Sequence, residues 1–150
     1  MTKVSPYKRS VYPTIEGNDR IYFDNEFAKI EKTLGQIVEV LSGSYEPKTI
    51  SSGAVTLAAS DKPIQMLELD TEGAAATDDL DTINMTGGGK NGQIVTVWAA
   101  SSARTVVVKD GTGNLYLAGD FSLDNSSDSI TLQWWEGAGF YELSRSDNGA

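Results

Sequence analysis

The chain has 150 residues, enough for one domain or a small head with an appended arm, and carries 12 basic against 21 acidic side chains for a net charge of -9. It has neither cysteine nor histidine. That removes disulfides, thiolate chemistry, imidazole metal ligands and every Ser-His arrangement, leaving an enzyme only carboxylates, Lys or Tyr to work with. The chain is therefore expected to be non-enzymatic and to carry no cofactor and no metal.

Residues 1-17 are expected to form an extended docking arm. Pro6 and Pro13 bias their neighbours toward extended backbone, and Tyr7, Val11, Tyr12 and Ile15 are spaced apolar groups without a periodic partner. Such a segment cannot bury its own tyrosines, so it suits a groove on another chain, with Lys8 and Arg9 facing acidic surface and Tyr22 as a further anchor. The N-terminal residues lack the apolar run of a signal peptide, and no window approaches the roughly 20 residues of a membrane span, so no membrane insertion is expected.

Residues 18-43 are expected to form a helical stem. Phe27, Ile30, Leu34, Ile37 and Leu41 step by 3, 4, 3 and 4, the spacing of a coiled-coil seam. About two and a half heptads cannot hold a coiled coil alone, so the flanking segments must support it. Val38 and Val40 flank the seam, and a wider stripe of this kind also suits an amphipathic helix packed on its own domain. Asp24 or Asn25 is placed to cap the first turn, with Glu26 favourable to the dipole, and Gly43 to close the helix in a left-handed conformation.

Residues 44-48, with Pro47, read as a polar connector to a head over 49-150. Strand-like runs are predicted at Ile50 to Leu57, Ile64 to Leu69, Leu80 to Met85, Gln93 to Ala99, Arg104 to Lys109, Asn114 to Leu117, Ser129 to Trp135 and Phe140 to Leu143. Their spacing of roughly 8-12 residues, with no stretch long enough for a crossover helix, predicts an antiparallel β-sandwich, barrel or prism. Asp110-Gly111-Thr112-Gly113-Asn114 and Glu136-Gly137-Ala138-Gly139 read as hairpin turns. In the second, one aromatic of each pair, Trp134 or Trp135 and Phe140 or Tyr141, enters the core while the other faces the opposite side.

The charge imbalance lies in this head: residues 1-48 hold 7 basic and 7 acidic side chains, residues 49-150 hold 5 and 14. A head without clustered Lys and Arg is a poor partner for nucleic acid, whereas uniform acidity keeps crowded copies from sticking. Trp98, Tyr116, Trp134, Trp135 and Tyr141 are the candidate ligand or interface aromatics, able to stack on a sugar or to bury against a subunit.

Asp70, Glu72, Asp78, Asp79 and Asp81 form an acidic cluster without the spacing of a calcium loop. Asp110, Thr112 and Asn114 alternate as oxygen ligands but lack the distal Glu. The run Gly87-Gly88-Gly89-Lys90-Asn91-Gly92 lacks the ending and the following helix of a phosphate cradle and reads as a turn.

The segment from Gly92-Gln93-Ile94 through Arg104-Thr105-Val106 and Asp110 to Asn114, closing on Glu142-Leu143-Ser144-Arg145-Ser146, resembles a β module of tail-fibre and other virion proteins of tailed bacteriophages. The resemblance spans roughly residues 50-147. The leader YPTIEGNDRIYFDNEFAKIEKTL is similar to fibre openings that attach to the virion and start a trimeric stem. The resemblance implies a homotrimer made in the host cytoplasm and carried on the tail or outer capsid surface. Its implied partners are other virion proteins, either a tail adaptor or nozzle or the major capsid protein.

Host-recognition fibres usually add a long shaft and a separate tip, so a short tail fibre or fibre adaptor is expected here. A capsid cement or head-decoration protein is the alternative, and a module binding host surface glycan is a second one.

Overall fold

The computed structural model describes residues 17-58 and 62-149, with side chains from residue 23 onward and Val40 excepted. The arm residues Tyr7, Lys8, Arg9, Val11, Tyr12 and Ile15, and the side chain of Tyr22, lie outside the described residues. The chain is mainly β with one helix, and it divides between Glu39 and Val40 into two units, taken in turn.

Helix α1 spans Gly17–Leu41, 25 residues. It starts upstream of Asp24 and Asn25, which are interior positions and not caps. Propagation costs little once a turn exists, and Phe23, four residues before Phe27, extends the apolar seam by one step. Gly43 does not take the left-handed conformation expected of it. On the polar surface Lys29 pairs with Glu26 at 2.7 Å, and the Thr33 hydroxyl donates to the Lys29 carbonyl.

The β unit corrects the expected antiparallel sandwich or prism: it is a solenoid. Its strands are β1 (Ser44–Thr49), β2 (Ala54–Leu57), β3 (Ile64–Asp70), β4 (Thr77–Leu80), β5 (Thr82–Met85), β6 (Ile94–Ala99), β7 (Thr105–Val108), β8 (Leu115–Tyr116), β9 (Phe121–Leu123), β10 (Ser129–Trp135) and β11 (Gly139–Ser146). Strands β1, β3 and β6 stack in parallel, as do β2 on β5 and β4 on β7. Ile64 pairs with Ile94, Thr77 with Thr105 and Ala54 with Thr82. The chain therefore returns to the same sheet after 28 residues from β2 to β5 and from β4 to β7, after 30 from β3 to β6, and after 21 in the first coil from β1 to β3.

The connection between parallel neighbours is made by the other strands of the coil, not by a helix. The missing crossover helix was therefore no argument for antiparallel pairing. Residues 44-48 likewise belong to strand β1 and not to a connector. An edge strand tolerates Pro47, and its side chains alternate between half-buried Ser44, Glu46 and Lys48 and exposed Tyr45, Pro47 and Thr49.

Beyond β7 the chain reverses. Strand β9 runs antiparallel to β7, β10 antiparallel to β6, and β11 antiparallel to β10, with β8 parallel at its outer edge. Sheet order is β1-β3-β6-β10-β11-β8, with β4-β7-β9 and β2-β5 as the smaller sheets. The turn at residues 136-138 is the hairpin expected. The turn at 110-114 is not, since β8 pairs with β11 and not with β7.

Strict alternation fills the interior. Leu67 and Leu69 on β3 neighbour Val97 and Ala99 on β6, and Ile130 and Leu132 on β10 neighbour Val97 and Val95. These side chains, with Leu80, Val106, Val108 and Leu123 from the β4-β7-β9 sheet and Val55, Leu57 and Ile83 from β2-β5, form one buried cluster. Each fully buried Leu, Ile or Val is worth about 1.5–3 kcal/mol relative to exposure.

Candidate functional site

Two surfaces carry apolar side chains that the fold itself does not cover. The first is the helical seam: Phe27, Ile30, Leu34, Ile37 and Leu41 are 49% to 66% exposed, and Phe23 is 47% exposed. Val38 is exposed beside the seam. A stripe of six large apolar side chains on one helix, repeating by threes and fours, presents the knobs of a helical bundle without the holes to receive them.

The second is the outward face of the six-stranded sheet. Across β3, β6, β10, β11 and β8 the register lines up Ile64, Ile94, Gln133, Tyr141 and Tyr116 in one row. Five strands at about 4.8 Å make that row roughly 19 Å long. A second row runs Tyr45, Met66, Thr96, Thr131 and Ser144. Tyr116 and Tyr141 stack at 4.7 Å, Trp135 tilts onto Tyr141 at 5.8 Å, and Tyr45 stacks on Trp98 at 6.1 Å. Trp135, the most open of these aromatics at 56%, donates from its indole nitrogen to Gln133.

Of the five aromatics expected at an interface or ligand site, the sheet brings Trp98, Tyr116, Trp135 and Tyr141 to one face. Trp134 is the exception. It turns inward, packs on Phe140 at 4.9 Å beside the core, and its indole nitrogen is buried without a hydrogen-bond partner. Gly89 is the close neighbour that makes room for this ring, since a Cβ there would overlap the indole and the Met85 sulfur.

Tyr45, Ile64, Met66 and Ile94 were missed by sequence reasoning. Apolar outward residues interleaved with Leu67, Leu69, Val95 and Val97 read only as strand, and the signal available was that both faces are apolar, as in parallel sheets covered on two sides.

The few charges on this face are engaged within the chain. The Tyr45 hydroxyl donates to Glu68 at 2.8 Å, and that carboxylate pushes the phenol up from its ordinary value. Arg104 grips Asp70 with two nitrogens at 2.5 and 2.9 Å and holds its carboxyl below the usual range although burial opposes this. Glu68 and Asp70 line a shallow recess with Pro47 and Lys48.

The acidic cluster has local structural work. Glu72 accepts from the Ser52 backbone, Asp78 from the Glu72 backbone and Asp81 from the Thr112 hydroxyl. Among the described residues no group of three or more such side chains is arranged to hold a metal ion, and no helix is long and apolar enough to cross a membrane.

Glu142 and Arg145 anchor the closing strand. Arg145 donates to both Glu142 oxygens and to the Gly119 carbonyl, and lies 4.9 Å over the Phe121 ring. The guanidinium, helped by the Ala118 N–H, holds the Glu142 carboxyl below its ordinary range although burial opposes this. A depressed folded-state value gives stability that is complete above the ordinary carboxylate range and is lost as pH falls through the lower folded value. Melting temperature should therefore drop on acidification below roughly pH 4, and Arg145→Met should flatten that acid limb. An unchanged acid limb in thermal melts of the variant would remove Glu142 as its cause.

Comparison with known proteins finds no matching family model and no matching curated sequence.

Proposed function

We propose that the protein is a non-enzymatic, homotrimeric structural component of a phage virion, a short tail fibre or fibre adaptor held by its N-terminal arm. The observation that carries this proposal is the exposed seam on α1, from Phe27 to Leu41, which has the spacing of a multi-chain helical bundle. An acidic β head supports it, because copies held close together stay apart when they share one sign of charge. Three arms on one trimer bind a virion at high effective concentration, so no single arm contact has to be large.

Light scattering on the purified chain tests the assembly. A mass of about 48 kDa, three times the 16.1 kDa subunit, is expected, and a mass near 16.1 kDa would overturn the proposal. Labelling of intact virions tests the place. Signal on the tail is expected, whereas signal spread over the shell would make the protein a capsid cement. Deletion of residues 1-17 should leave a soluble trimer that no longer joins particles, and retained incorporation would end the docking role of the arm.

A further inference from the structure

We infer that Asn148 is a self-modification site: its side-chain amide becomes a carboxylate by reaction with the Gly149 backbone nitrogen, and the change frees the segment after β11 from the start of β10. The dipeptide Asn-Gly occurs twice in the chain, at Asn91-Gly92 and at Asn148-Gly149. Glycine has no Cβ to keep its nitrogen from the neighbouring side-chain carbonyl, so both pairs have the same intrinsic chemistry. All four residues are exposed, so water reaches both. The hydrogen bonds of the fold set the two pairs apart.

At Asn91 both reacting groups are held. The Gly92 N–H donates to the Trp134 carbonyl at 3.0 Å, and Asn91 Oδ1 accepts from the Glu136 N–H at 2.6 Å. Each bond has to break before nitrogen and carbonyl can meet. At Asn148 the nucleophile is free, since the Gly149 N–H donates to no group among the described residues. The Asn148 side chain is fastened only through its nitrogen, the group that departs, which donates to the Ser127 carbonyl at 2.6 Å and the Ser146 hydroxyl at 2.9 Å.

The chemistry is an internal aminolysis followed by hydrolysis. Hydroxide takes the Gly149 amide proton, and the nitrogen attacks Asn148 Cγ. A C–N bond forms, the bond from Cγ to the side-chain nitrogen breaks, and that nitrogen leaves as ammonia with a proton from water or from the Ser146 hydroxyl beside it. Water then opens the cyclic imide at either carbonyl, giving Asp or isoaspartate. Nothing is oxidised or reduced: amide and water become carboxylate and ammonium. Because the attacking nitrogen must first lose its proton, the rate rises with pH.

The surroundings turn this small change into a release. The lost nitrogen was a donor, and a carboxylate oxygen in its place has no proton for the Ser127 carbonyl and repels it. The Asn148 N–H also donates to Asp128 at 2.7 Å, and Asp128 is 0% exposed, its other oxygen accepting from the Asn125 N–H at 2.9 Å. A second carboxylate brought next to that buried one adds like-charge repulsion. Residues 147-149 then lift away, and Asp128 is left with one of its two backbone donors.

The test is peptide mapping by mass spectrometry after the full chain is kept at mildly alkaline pH, folded and unfolded in guanidinium. In the folded chain Asn148 should gain about 1 Da as nitrogen is exchanged for oxygen. It should do so at least roughly tenfold faster than Asn91, whose two bonds must open first. In the unfolded chain the two sites should convert at similar rates. Equal rates in the folded chain overturn the inference, as does an Asn148 that converts only when unfolded.

Two variants test the route and its consequence. Gly149→Val should slow conversion at Asn148 several-fold by hindering the nitrogen, and an unchanged rate would mean direct hydrolysis and overturn the backbone route. Asn148→Asp, the product made in advance, should exchange the residue 148 amide hydrogen several-fold faster than the unmodified chain. Undiminished protection of that hydrogen overturns the release.

Discussion

Leu34→Asp is expected to take the protein from a species of about 48 kDa to one of 16.1 kDa. Leu34 is the middle position of the seam, with Phe27 and Ile30 before it and Ile37 and Leu41 after it, and is 55% exposed in the single chain. In a three-helix bundle that exposed half is what neighbouring helices cover, and each copy would lose about half of the 1.5–3 kcal/mol that full burial of such a side chain contributes. The larger penalty is charge. Three carboxylates would meet in an apolar bundle centre, each paying several kcal/mol of desolvation with no cation on the seam to offset it.

The same substitution costs the single chain little, because an exposed helical position tolerates Asp at well under about 1 kcal/mol. The near-UV spectrum of the head should survive while the mass falls. Light scattering beside circular dichroism checks both. A variant that keeps its full mass would move the main assembly contact from the stem to the head.

The stem was legible because its signal is local: five apolar residues at heptad spacing name a helix and its face without reference to the rest of the chain. Its N-terminal limit was not, because Asp24 and Asn25 have cap chemistry but sit where Phe23 already continues the seam. Strands were legible for the same local reason. All eight predicted runs contain or overlap a strand, and the run at Leu80 to Met85 breaks at Asp81 into the last residue of β4 and the whole of β5.

Pairing was not legible, because it depends on which distant segment returns to the same sheet. The first coil is shorter than the others, Ser44 pairing with Gln65 where Ile64 pairs with Ile94, so no constant repeat marked the solenoid. Three residues sufficed for β9, too few to stand out. The aromatics of the outward face were legible by residue type. Their gathering onto one face was not, because it follows from the register of the paired strands.

The turn at Asp110 to Asn114 shows how identical local chemistry serves two folds, and it carries the second large expected effect. Asn114 does the work of a strand residue. Its side-chain oxygen accepts from the Ile83 N–H at 3.0 Å and its amide donates to the Ile83 carbonyl at 2.8 Å, while its own carbonyl accepts from Phe140 at 2.8 Å. It therefore extends the β2-β5 sheet by one more pairing where the third coil has no strand. Asn114→Ala leaves both Ile83 backbone groups without partners beside a side chain that is 0% exposed. Each orphaned group costs about 1–3 kcal/mol, so a loss of about 2–6 kcal/mol is expected, against a total stability on the order of 5–15 kcal/mol for a domain.

Gly113→Ala should be comparably severe. The residue has φ +52, and an added Cβ would run into the Thr82 hydroxyl and the Asp81 carbonyl. Thr112→Ala, in the same turn, removes only an exposed hydroxyl bond to Asp81 and should cost less than about 1 kcal/mol. Urea denaturation of the three variants checks this order. A hairpin turn would tolerate Asn114→Ala about as well as Thr112→Ala, so equal midpoints for those two would mean that the side-chain pairing to Ile83 does not hold the coil.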